Sequence, residues 1–118
     1  MPILKLAPMP TVTAIEPAVA FYRDVLGFSI VARAEAWAAA ARDGVEVMFA
    51  LPNAHVPFAK PHFTGSLYFR TSDVDAMWAQ LKDRCRVEYA LETFDYGMRE
   101  FAVYDNSGYL LQFGQEVS

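Results

Sequence analysis

The sequence predicts an α+β protein made of two βαβββ modules packed around a core or cleft, and three observations point to it. First, the order strand, helix, strand, strand, strand runs once to about residue 51 and starts again near residue 65. Second, Ala14–Phe28 (AIEPAVAFYRDVLGF) aligns on Asp73–Val87 (DVDAMWAQLKDRCRV), helix on helix. Third, Asp43–Ala50 (DGVEVMFA) aligns on Ser107–Gly114 (SGYLLQFG), with Gly44 on Gly108 and Phe49 on Phe113. Each half alone would leave one sheet face bare, so the two are expected to bury it together in a single domain spanning 1–118.

Ile3–Met9 is a short apolar run closed by prolines and reads as the first strand. Glu16–Leu26 reads as a helix: Pro17 suits a first turn, Val19, Tyr22 or Phe21, and Leu26 make a stripe, and Gly27 stops it. Phe28–Ala34 is then a strand. Trp37–Arg42 holds four alanines in a row, which favours helix on propensity, but Asp43-Gly44 followed by Val45–Leu51 is a hairpin signal and tips the run to strand. Residues 52–64 carry three prolines and no period, so they read as a linker between the modules or a loop over a site.

The second module opens with a strand at Gly65–Thr71 and a helix capped by Asp73 and running to Lys82 or Arg84. Strands at Val87–Leu91, Met98–Tyr104 and Tyr109–Gln115 follow, with a loop at Glu92–Gly97 and a tight turn at Asp105–Gly108.

A chain of 118 residues with 54% apolar content can bury about two thirds of its unfolded surface without a staple. The single cysteine, Cys85, cannot close an internal disulfide, which fits a reducing, cytoplasmic setting, and nothing nearby in sequence would activate it as a nucleophile. A net charge of −4 argues against a nucleic-acid footprint and leaves neutral or cationic small molecules as the natural partners. The N-terminus, MPILKLAPMPTV, is too short and proline-broken for a signal peptide or a membrane span.

AVAFYRDVLGF, SDVDAMWAQL and GMREFAVYDNSGYLLQF, in that order, resemble the signatures of the vicinal oxygen chelate superfamily, which includes glyoxalase I, extradiol dioxygenases, and fosfomycin and bleomycin resistance proteins. The resemblance covers nearly the whole chain. It implies the glyoxalase/bleomycin resistance fold, and a homodimer whose ligand site lies at or near its interface. It also implies four strand positions where metal-using relatives hold a divalent ion, usually with His, His and Glu. These positions fall on Ala7, Met48, Ser66 and Gln112. Alanine offers no donor, methionine a soft thioether, serine a weak neutral oxygen, and glutamine lacks the charge of glutamate. A catalytic metal needs about three strong ligands, so no metal or other cofactor is expected. His55 and His62 lie in the proline-rich loop, away from inward strand positions, and read as solvent-facing.

If Met48, Ser66 and Gln112 face the cleft as the resemblance implies, alternation brings Glu46, Tyr68, Arg70 and Leu110 toward it as well. Trp37 and Phe101, read as repeat-mates on neighbouring strands, are candidates to stack a flat ligand together with Phe63, Phe94 and Tyr96 in nearby loops. Apolar and aromatic surface with a few directed polar groups is the composition of a small-molecule pocket. Equally open is an arrangement in which Glu46 and Arg70 simply pair and side chains fill the cleft. Arg99-Glu100 reads as a structural pair, and no general acid or base is assigned.

The DYGMREF run (Asp95–Phe101) is closest to the metal-free bleomycin-resistance-like branch. The expectation is therefore a small-molecule binding protein that sequesters an antibiotic or another planar, cationic natural product without chemistry. The alternative is a metal-dependent lyase, isomerase or dioxygenase of the same superfamily with a non-standard site.

Overall fold

A computed structural model describes residues 4–53, 63 and 65–117. His55 and His62 lie outside these residues. The chain is mixed α+β and divides into two compact units, Met1–Pro61 and His62–Ser118, each with one small sheet.

In the first unit, α1 (Ile15–Ala20) continues into a π-helical turn over Phe21–Val25, in which the Leu26 amide donates to the Phe21 carbonyl at 3.2 Å. Gly27, at φ +75°, ends it, and Nη1 of Arg42 donates to the orphaned Leu26 carbonyl at 2.6 Å. Strands β1 (Ser29–Ala34), β2 (Trp37–Arg42) and β3 (Val45–Ala50) then form an antiparallel sheet in the order β1-β2-β3. The alanine run is thus a strand. Ala38 and Ala40 are fully buried opposite Phe49 and Val47, where their small side chains admit Tyr22, whose ring centroid lies 4.6 Å from that of Phe49.

The expected strand at Ile3–Met9 is not formed among its described residues. Instead, the chain runs parallel to β3 further along: the Pro8 and Pro10 carbonyls accept from Met48 and Ala50, and a single bridge joins Thr11 to Ala50. Two prolines remove the donors a regular ladder needs.

In the second unit, β4 (Leu67–Arg70), α2 (Val74–Leu81), β5 (Arg86–Thr93), β6 (Met98–Tyr104) and β7 (Leu110–Glu116) give a sheet ordered β4-β7-β6-β5, with β4 parallel to β7 and the other pairs antiparallel. Asp73 caps α2 as its sequence position suggests, Oδ1 accepting from the Ala76 amide at 3.1 Å. The turn into β7 is held by Asp105, whose Oδ1 accepts from the Ser107 and Tyr109 amides at 2.9 and 3.0 Å.

One face of this sheet packs on α2. Phe113 stacks between Phe69 and Phe101 (centroids 5.1 and 5.2 Å), and Phe101 meets Trp78 at 5.1 Å. Phe101 is therefore a core residue with no exposed surface, and the expectation that it stacks a ligand is corrected. The misreading has a definite cause. Trp37 opposes Ala50, whereas Phe101 opposes Phe113, the repeat equivalent of Phe49, so the true partner of Phe101 is Ala38. The turn between β6 and β7 is longer than that between β2 and β3, and a one-residue slip exchanges the two faces of a strand.

Candidate functional site

The face of the second sheet turned away from α2 carries a connected polar cluster. It is built from Ser66 just before β4, Tyr68 on β4, Gln112 on β7, Glu100 on β6, Tyr89 on β5 and Tyr96 in the β5–β6 turn. Register sets the positions: Tyr68 pairs with Gln112, Gln112 with Ala102, and Glu100 with Gly114.

The hydrogen bonds run in one direction. Ser66 donates to Oε1 of Gln112, and Nε2 of Gln112 donates to the Tyr89 hydroxyl at 2.8 Å. Tyr89 then donates to Oε1 of Glu100 at 3.2 Å, and that carboxylate also accepts from Tyr96 on Oε1 and from Tyr68 on Oε2. Three phenols thus converge on one carboxylate that is only 3% exposed. Hydrogen bonds to an ionised acceptor are roughly twice as strong as neutral ones, which is what allows such a charge to stay in the fold.

Local sequence explains each placement. A β-bulge between Val87 and Tyr89 shifts Tyr89 from opposite Phe101 to opposite Ala102, taking its side chain off the α2 face and onto the open one. Gly97, at φ +90°, closes the turn that presents Tyr96 and lets its ring stack on Phe94, with centroids 5.4 Å apart and planes at 6°. Gly114 has no side chain because the Tyr68 ring lies across it, reaching Glu100.

The phenols are held neutral. Burial, reinforced by the bond to Glu100, pushes the Tyr68 hydroxyl well above its ordinary range, and burial also raises Tyr89. The hydrogen bond to Glu100 pushes Tyr96 up to about 12. Ionising any of them would remove a donor and set two negative charges side by side. At neutral pH they act as donors and as ring surfaces, and not as bases.

Of the residues expected in the site, Ser66, Tyr68 and Gln112 are joined in this cluster. Leu110 shares the face of Gln112 further along β7, and Arg70 is exposed at the end of β4. Trp37, Glu46 and Met48 alternate onto the face of the first sheet opposite Phe49 and Tyr22. Glu46 pairs with Lys5, and within its own unit Arg70 makes no ion pair among the described residues. Sequence reasoning named Tyr96 only as a ring that could stack a ligand, read Glu100 as a structural partner of Arg99, and missed Tyr89. The signal for Glu100 was present in alternation from Phe101, had Phe101 been assigned to the core; for Tyr89 the bulge erased it.

The donor set does not fit the superfamily's metal. Ala7 and Met48 offer no oxygen or nitrogen side-chain donor, and the oxygen and nitrogen of the Gln112 amide are engaged by Ser66 and Tyr89. Among the described residues no group of three or more His, Cys, Asp or Glu side chains is placed to hold a metal ion. Nor, among those residues, is any helix long and apolar enough to cross a membrane.

Comparisons with known proteins agree on the scaffold. The family model described as Glyoxalase/Bleomycin resistance protein/Dioxygenase superfamily matches residues 9–113. No curated protein matches the chain. Among solved structures, a protein of unknown function from Agrobacterium tumefaciens str. C58 is similar with a TM-score of 0.82 and 22% identity over 99% of this chain and 97% of that one. TioX from Micromonospora sp. ML1 follows with a TM-score of 0.78 and 21% identity, covering 95% of this chain and 98% of its own. A lactoylglutathione lyase from Agrobacterium tumefaciens gives 0.72 and 18%, covering 97% and 94%.

Proposed function

We propose that this chain, which belongs to the Glyoxalase/Bleomycin resistance protein/Dioxygenase superfamily, is a small-molecule binding protein that works without the superfamily's metal. The observation that carries this reading is the Ser66–Gln112–Tyr89–Glu100 chain. Where metal-using relatives set ligands, this protein sets a hydrogen-bonded relay that orients phenols around a carboxylate. Exposed rings of Tyr68 and Tyr96 border it, which suits a flat ligand held by stacking and a few directed polar contacts.

The bleomycin-type reading, sequestration of a planar natural product by a homodimer, is the specific form of this proposal. Isothermal titration of the purified protein with metal-free and with copper-loaded bleomycin tests it. A saturable heat supports the drug assignment, and no heat at high micromolar protein removes it. Metal analysis of the same preparation tests the enzymatic alternative: stoichiometric uptake of zinc, nickel, manganese or iron would overturn the metal-free reading.

A further inference from the structure

We propose that Glu100 is the anionic anchor for an aromatic cation, a flat ring system bearing a protonated amine or amidine, and that Tyr68 is the group such a ligand displaces. This rests on the binding role proposed above and names the chemistry of the ligand.

The carboxylate has no cationic partner among the described residues. Arg99, its neighbour on β6, points to the other face and is committed to Asp75 (Nη2 to Oδ1, 2.9 Å) and to Oγ1 of Thr93 (3.0 Å). The side-chain hydrogen-bond partners of Glu100 among the described residues are three neutral hydroxyls, two of them on side chains that remain open to solvent: Tyr68 is 41% and Tyr96 62% exposed. The charge lies one hydroxyl layer beneath an aromatic surface.

That arrangement selects against a neutral occupant. A flat neutral molecule laid on Tyr68 and Tyr96 would gain stacking, yet it would strip the remaining water from a carboxylate that has no counter-charge. A cation supplies the charge and gains twice, from the carboxylate and from the faces of the tyrosine rings. Tyr68 is the member that can leave. Tyr89 is held from two sides, accepting from Gln112 while donating to Glu100, and Tyr96 is stacked on Phe94. Among the described residues the Tyr68 side chain has only its bond to Glu100 and its rest over the bare backbone of Gly114.

Proflavine, a planar cation, and acridine, which is neutral at mildly alkaline pH, are matched probes. Fluorescence titration should give saturable binding of proflavine and at least about tenfold weaker binding of acridine, the difference expected of one charge-assisted hydrogen bond. Glu100→Gln should remove that preference. Tyr68→Phe, which takes away the competing hydroxyl and keeps the ring, should strengthen proflavine binding about threefold or more. A purely structural Tyr68–Glu100 bond predicts the opposite sign, so this surface variant decides the matter even if Glu100→Gln does not fold. Equal binding of both probes, or weaker proflavine binding by Tyr68→Phe, overturns the cation assignment while leaving a binding role intact. Absence of saturable proflavine binding overturns it as well. Metal uptake would instead strike at the binding role itself.

Discussion

Gly114→Ala is the sharpest test of how the cluster is held. A Cβ at this position would lie 2.0 Å from the Tyr68 hydroxyl oxygen, 2.8 Å from Cζ and 3.1 Å from Cε1. Ordinary contact begins near about 3.5 Å, so the ring must withdraw by roughly 1.5 Å and its hydroxyl loses Glu100. A hydrogen bond to a charged acceptor is worth about 1.5–3 kcal/mol, but a phenol that is already 41% exposed recovers part of this from water. Alanine also returns about 0.5–1 kcal/mol by restricting the unfolded chain. The expected net loss is about 1 kcal/mol. In a Tyr68→Phe background the ring must still give way to the Cβ, since Cζ lies 2.8 Å from it, but there is no such bond to lose and the same substitution should cost less. Urea unfolding of the four proteins in this cycle gives the coupling directly. A cost for Gly114→Ala that is equal in both backgrounds, within the roughly 0.5 kcal/mol expected of independent sites, would refute the reasoning.

Tyrosinate absorbance during alkaline titration should show Tyr96 ionising near 12, with Tyr68 and Tyr89 also late. Because these folded-state values are raised above the unfolded value of about 10, their stabilisation is fully present below pH ~10 and is lost as pH climbs toward the folded values. Unfolding midpoints that stay flat from neutrality to pH ~12 would contradict it. Phe101→Ala removes the middle of the Trp78–Phe101–Phe113 stack and should cost about 3–5 kcal/mol in chemical unfolding, an effect a ligand-facing side chain would not have. Gln112→Glu replaces a donor with a second acceptor for the single Tyr89 proton. It should destabilise by about 1–3 kcal/mol and should not confer zinc uptake when metal content is measured.

The scaffold was legible because its signals are local. Asp43-Gly44 fixed a hairpin that overrode the helix propensity of four alanines, and Asp73 marked the start of α2. The first strand failed because the apolar content of Ile3–Met9 was weighed above the donors that Pro8 and Pro10 lack. The site was half legible. The resemblance singled out Ser66 and Gln112, which the fold joins in one hydrogen-bonded cluster with Tyr68, a residue reached from Ser66 by strand alternation. Alternation could not find Tyr89, since a bulge adds one residue to β5 and reverses the face, and no residue type announces that shift. It misjudged Phe101 because turn length, and not residue similarity, sets which positions of two repeated hairpins correspond.

Gln112 shows why a position cannot be read by itself. Set against a glutamate ligand, its amide is a loss of charge. Set in its network, the amide does what a carboxylate cannot: it accepts from Ser66 and donates to Tyr89 in the same plane. That donation leaves the Tyr89 proton for Glu100, so the amide at residue 112 sets the direction in which the chain of hydrogen bonds runs. The negative charge on this face therefore sits on β6, one strand over from the position where metal-using relatives place their glutamate, and it is dressed by phenols instead of an ion. Three tyrosines oriented on one buried carboxylate satisfy its hydrogen bonds but supply no counter-charge, and under the proposal made above that charge arrives with the ligand.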